Sequence, residues 1–82
     1  MPASMAATSK PDMIQVYQDS LYKYSDYSPE QFIQTFGKPD ATEWRDNKQF
    51  YVLSYHRKGC SYNFSFWMKR NKLGSTFKLC PP

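Results

Sequence analysis

One histidine, two cysteines and seven acidic residues are what this 82-residue sequence offers for chemistry. His56 and Cys60 stand four residues apart, on either side of Lys58-Gly59. A nucleophile needs its base within hydrogen-bond reach. Strand alternation across that turn assigns the two side chains to opposite faces of a hairpin. The carboxylates show no paired placement for general acid–base work. Three glycines are too few for a phosphate-cradling loop. No run of Cys, His, Asp and Glu has metal-ligand spacing. A chain this short also has difficulty enclosing a dry pocket. The residues therefore point away from an enzyme, with no metal, no cofactor and no small-molecule substrate. Cys60 and Cys80 read instead as a disulfide. It would close a loop of about 20 residues and contribute roughly 3 kcal/mol in the chain-entropy treatment. Such a bond implies an oxidising compartment.

The pattern along the chain predicts which elements hold these residues. Pro11 suits a first helical position, and Asp12 suits the positive end of the dipole. Ile14, Tyr17, Leu21 and Tyr24 recur at helical spacing and predict the buried stripe of a first helix ending near Ser25-Asp26. Ser28, Pro29 and Gln31 form a capping-box signal for a second helix, with Tyr27 and Phe32 as its hydrophobic staple. Gly37 and Pro39 end it. The period then changes from about 3.6 to 2. Strands are predicted over 41–45, 49–57, 60–69 and 73–80, with turns at 46–48, 58–59 and 70–71. The fold class is thus α+β: two N-terminal helices on one face of a three- to four-stranded antiparallel sheet. Residues 1–10 read as a flexible tail and 11–80 as one domain.

The Lys58-Gly59 turn fixes a register. It sets Arg57 opposite Cys60, Tyr55 opposite Tyr62, Leu53 opposite Phe64, and Tyr51 opposite Phe66. From Tyr55 onward every residue of that set is large and apolar or aromatic, so this face is the one the helices cover. The other face pairs His56 with Ser61, Ser54 with Asn63, Val52 with Ser65, and Phe50 with Trp67. Phe50, Val52 and Trp67 form an apolar cluster there, which Trp44 is expected to join. With Lys69, these residues are the candidate protein-binding surface. A two-residue turn at Arg70-Asn71 would set Lys69 opposite Lys72 and Cys80 opposite Ser61. The cysteines would then face opposite ways, so the bridge requires a bulge or a longer turn that shifts parity by one.

Seven Tyr, six Phe and two Trp must build the core of so small a chain. The net charge of +4 is too modest for a nucleic-acid footprint in itself. Its short clusters, Arg57-Lys58 and Lys69-Arg70-Asn71-Lys72, fall at turns. Even so, Phe50 and Trp67 rimmed by Arg57, Lys69 and Lys78 would suit base stacking, which keeps a single-stranded nucleic-acid module as a third-ranked reading. No apolar run reaches the ~18 residues of a membrane span. A membrane link would need a lipid anchor that this chain does not carry.

The run Tyr27-Ser28-Pro29-Glu30-Gln31-Phe32-Ile33-Gln34-Thr35-Phe36-Gly37-Lys38-Pro39-Asp40 resembles the helix-to-strand signature of the small SmpA/OmlA-type outer-membrane lipoproteins, the BamE-like proteins. The aromatic strands around Trp44, Phe50-Tyr51, Tyr55 and Phe64-Ser65-Phe66 extend the resemblance to roughly residues 11–79. The layout is also similar to one repeat of β-lactamase inhibitory protein. The resemblance implies a protein-binding domain of the bacterial cell envelope, periplasmic or outer-membrane associated, with a scaffold or accessory assembly role. The alternative is a small secreted inhibitor that occludes an enzyme or host factor. Another protein is the expected partner, and a homodimer is a further expectation.

Overall fold

Asp12 decides where the first helix begins. Its carboxylate accepts hydrogen bonds from the backbone N–H groups of Ile14 and Gln15, at 3.1 and 3.3 Å. In the computed structural model, which describes residues 12–82, helix α1 therefore runs Met13–Lys23 with Asp12 as its N-cap. Pro11, read above as the first helical residue, lies outside the described residues. Helix α2 spans Pro29–Phe36. Ser28 caps it by accepting from the Gln31 N–H at 3.1 Å. Gly37 closes it at φ +99°, a positive-φ backbone that glycine adopts without a Cβ penalty.

Four strands follow: β1 Ala41–Arg45, β2 Phe50–Arg57, β3 Cys60–Trp67 and β4 Lys72–Leu79. They form one antiparallel sheet in the order β1-β2-β3-β4. The β2–β3 register is the one the Lys58-Gly59 turn predicts, pair for pair from Phe50–Trp67 to Arg57–Cys60. The expected helix-covered face is also found. Leu53, Tyr55, Tyr62, Phe64 and Phe66 are buried beneath α1 and α2. Phe32 of α2 stands at the centre, its ring 4.7 Å from Phe64 and 5.5 Å from Phe66, centroid to centroid. Offset and edge contacts of this kind let a few rings fill a core short of aliphatic residues.

Two local details differ from the sequence reading. Helix α1 buries Met13, Val16 and Ser20, while Leu21 is 52% exposed. Ser20 is small enough to let the helix settle on the sheet, and its hydroxyl donates to Tyr17 O within the helix. Tyr17 lies alongside, edge-on to Tyr62 and Phe64. Just before α2, Tyr27 takes Phe36 and Tyr24 as its ring partners while packing against the core cluster that holds Phe32. The β3–β4 connection is longer than two residues. Trp67, not Lys69, pairs with Lys72, and residues 68–71 form the loop, with Asn71 at φ 56°.

A bulge then corrects the parity. Phe66 pairs with Leu73 but Ser65 pairs with Ser75, leaving Gly74 as the extra residue. Beyond it Ser61 pairs with Leu79, not Cys80. One further step brings Cys60 and Cys80 face to face, their Cα atoms 4.3 Å apart and their sulfurs bonded. The shift by one residue that the bridge requires is thus supplied by Gly74.

Candidate functional site

The face of the sheet away from the helices is not a flat polar surface. At its centre, Asn63 is buried and fully bonded. Its Oδ1 accepts from the Ser54 and Ser61 hydroxyls at 2.6 and 2.9 Å, and its Nδ2 donates to the Ser61 and Phe77 carbonyls. Arg45 on β1 and Phe77 on β4 reach towards each other over the two middle strands. The guanidinium carbon lies 5.3 Å from the ring centroid. The outer strands can meet in this way only because the sheet curls. As a result Val52 is 1% exposed and Ser65 is also buried. Val52 is therefore not part of a contact surface, contrary to the sequence reading. It lies beneath one.

Trp44 is also displaced from that reading. It pairs with Tyr51, so it projects to the helix side, its ring 4.5 Å from the Tyr51 ring. The tryptophan is 49% exposed there. Lys78 and Arg57 likewise stand on the helix side. Lys78 Nζ lies over the Tyr62 ring, and Arg57 contacts Asp40 at 3.3 Å. None of these three belongs with Phe50 and Trp67.

Phe50 and Trp67 do come together, as a directly opposed pair. The residues beside them were missed in the sequence. Arg45 is opposite Phe50, and Lys72 is opposite Trp67. By register, one row across all four strands thus reads Arg45–Phe50–Trp67–Lys72, with the Arg45 guanidinium paired to Glu43 at 3.4 Å and the Lys72 ammonium drawn to Asp26, between the two helices, at 3.4 Å. Trp67 is 37% exposed, and Arg70 in the β3–β4 loop lays its guanidinium carbon 5.3 Å from the indole. Lys48 and Lys69 are exposed in the two loops bordering the row. The β1–β2 loop turns through Asp46, Asn47 and Lys48, all left-handed at φ 53°, 56° and 66°. Asn and Asp tolerate that conformation better than lysine does. The signal that would have exposed the row is the length of the two outer turns, each of which spans four residues.

At the opposite end of the sheet, a cleft of about 510 Å³ lies beside the disulfide, lined by His56, Gly59, Ser61, Leu79 and Pro81. Both cysteines are in the bond, so neither is a thiolate. Among the described residues, no three His, Cys, Asp or Glu side chains gather as a metal site. Two groups here are held away from their ordinary ionisation. The His56 backbone N–H donates to Asp40 Oδ2 at 2.7 Å and, with Arg57, lowers that carboxyl's pKa. Burial raises the pKa of Tyr55, whose hydroxyl donates to Gly37 O at 2.7 Å. Both contacts tie the end of α2 and its following turn to β2. They are structural links rather than chemistry. No family model, curated protein or solved structure matches this chain.

Proposed function

We propose that this chain is a non-enzymatic protein-binding domain of the bacterial cell envelope, with a scaffold or accessory assembly role. Its partner sits on the Arg45–Phe50–Trp67–Lys72 row. The observation that carries the reading is this row, an aromatic pair with an arginine and a lysine at its ends, on the sheet face opposite α1 and α2. Trp and Arg are the side chains most enriched among residues that dominate binding energy. The Cys60–Cys80 bond supports an extracytoplasmic home. It also weighs against nucleic acid as the partner, although the same row has the side-chain types for base stacking.

A photo-crosslinking residue placed at Phe50 tests this in the native host. A single protein species should be captured from position 50 and not from Tyr22, an exposed residue of α1. Capture should be lost when Trp67→Ser is added. Binding of that partner should survive added salt. A labelled single-stranded oligonucleotide that binds more tightly than this partner, with affinity falling steeply in salt, would replace the reading with the nucleic-acid one.

A further inference from the structure

The two edges of the sheet are treated differently. On β4, Gly74 makes a bulge, Lys72 and Lys78 add charge, and the Leu73 N–H is already bonded to Tyr27 O. Bulges, lysines and covering bonds are how sheets discourage a further strand. On β1 the register with β2 is unbroken, and all five residues, Ala41–Arg45, are exposed. Trp44 stands half exposed on the helix side of this edge, above Tyr51. A cleft of about 330 Å³ adjoins it, lined also by Pro29, Glu30, Ile33 and Met68. Among the described residues no strand lies beyond β1, so the edge offers backbone groups on one side and an aromatic anchor beside a mostly apolar cleft.

We propose that β1 pairs with β1 of a second copy of this chain, antiparallel about a two-fold axis at Trp44, so that two four-stranded sheets join. The charges of the strand select this partner and this register. Glu43 and Arg45 lie on the same face, two residues apart, and carry opposite signs. Centring the axis on Trp44 sets each Glu43 against the partner's Arg45, and each Arg45 against the partner's Glu43. It also sets the two Trp44 rings side by side on the helix side, next to the two clefts. Centring on Glu43 would oppose like carboxylates, and centring on Arg45 would oppose like guanidinium groups. Both are disfavoured in a directly opposed pair. Pairing across the copies exchanges two exposed contacts of Arg45, the one with Glu43 at 3.4 Å and the one over the Phe77 ring at 5.3 Å, each weak enough to give way to a cross-copy pair. This edge shares Arg45 with the row proposed above for another protein, so the two readings are told apart by residues that belong to only one of them: Glu43 for the edge, and Phe50 and Trp67 for the row.

Sedimentation velocity on the oxidised chain, from about 10 µM to about 1 mM, reads the outcome directly. A monomer–dimer equilibrium is expected. Glu43→Arg alone and Arg45→Glu alone should each weaken it by about tenfold, because each puts like charges in register twice. The double variant E43R/R45E restores both pairs and should return the equilibrium to within about threefold of wild type. Circular dichroism melts of all four proteins distinguish a dimer effect from a folding defect. Hydrogen exchange should show the Trp44 amide, which faces the open edge, more protected at the higher concentration, with Glu43 and Arg45, already bonded to β2, little changed. A monomer throughout the range would overturn the proposal. A double variant no better than the singles would also overturn it, as would protection gained on β4 instead.

Discussion

Replacing Tyr55 by Phe removes one hydroxyl and leaves the ring. The ring is fully buried between β3 and α2, and the hydroxyl donates to the Gly37 carbonyl at 2.7 Å. A neutral hydrogen bond of this kind has a net worth of about 0.5–1.5 kcal/mol. Gly37 is exposed, so its carbonyl can turn to water, and we expect a loss of about 1 kcal/mol at neutral pH. In a domain of this size that lowers the melting temperature by about 4–8 °C. The pH dependence is more diagnostic. Burial raises the folded pKa of Tyr55 above its ordinary value of 10.0. The stability this group contributes is complete below that pH and is lost as the pH rises, because the unfolded chain sheds a proton that the folded chain keeps. The slope is about 1.4 kcal/mol per pH unit for one proton. Tyr55→Phe lacks that slope. Its deficit should vanish within about one unit above pH 10, and the two stability curves should cross near pH 11. Urea unfolding at intervals from about pH 7 to pH 11.5 measures this. Parallel curves over the alkaline range would refute the burial of a neutral Tyr55. An unchanged midpoint at neutral pH would refute the bond.

Reducing the chain should add about 2 Da to its intact mass and remove roughly 3 kcal/mol of stability, read as a lower urea midpoint. Val52→Thr should cost about 1–3 kcal/mol by burying a hydroxyl beneath Arg45 and Phe77, although strand alternation alone would make it a surface change. Leu53→Ala, under the helices, should cost about 2–5 kcal/mol, and thermal melts order the two. The folded pKa of Asp40 is lowered from 3.8, so its contribution is present above that pH and lost as the pH falls through the folded value. Asp40→Asn should therefore melt below wild type at pH 7 and together with it near about pH 2.

The parts of this fold legible in the sequence are those fixed by a few adjacent residues. Ser28 to Gln31 specifies the start of α2, and Lys58-Gly59 specifies the β2–β3 pairing, because a turn too short to vary admits one register. The parts that were not legible depend on turns whose length the sequence leaves open. Counting the β1–β2 turn as 46–48 places Trp44 beside Phe50, whereas the four-residue turn places it opposite Tyr51 and on the other side of the sheet. One residue of turn length thus moved a tryptophan from one surface to the other. The basic flanks of the candidate row depend on the same two turns. The burial of Val52 follows from curl, a property of four strands together that no single strand pattern carries.

The bulge at Gly74 and the bond it permits also change what a broken peptide would mean. The 68–71 loop is exposed at Lys69, Arg70 and Asn71, and exposed loop tips are where proteases cut. A cut after Arg70 frees a C-terminal piece that still holds seven residues paired with β3 and remains tied through Cys80 to Cys60. The product is a two-chain molecule of unchanged shape, heavier by one water. This hairpin can therefore be opened, given new termini or lengthened with a tag while β4 stays in place.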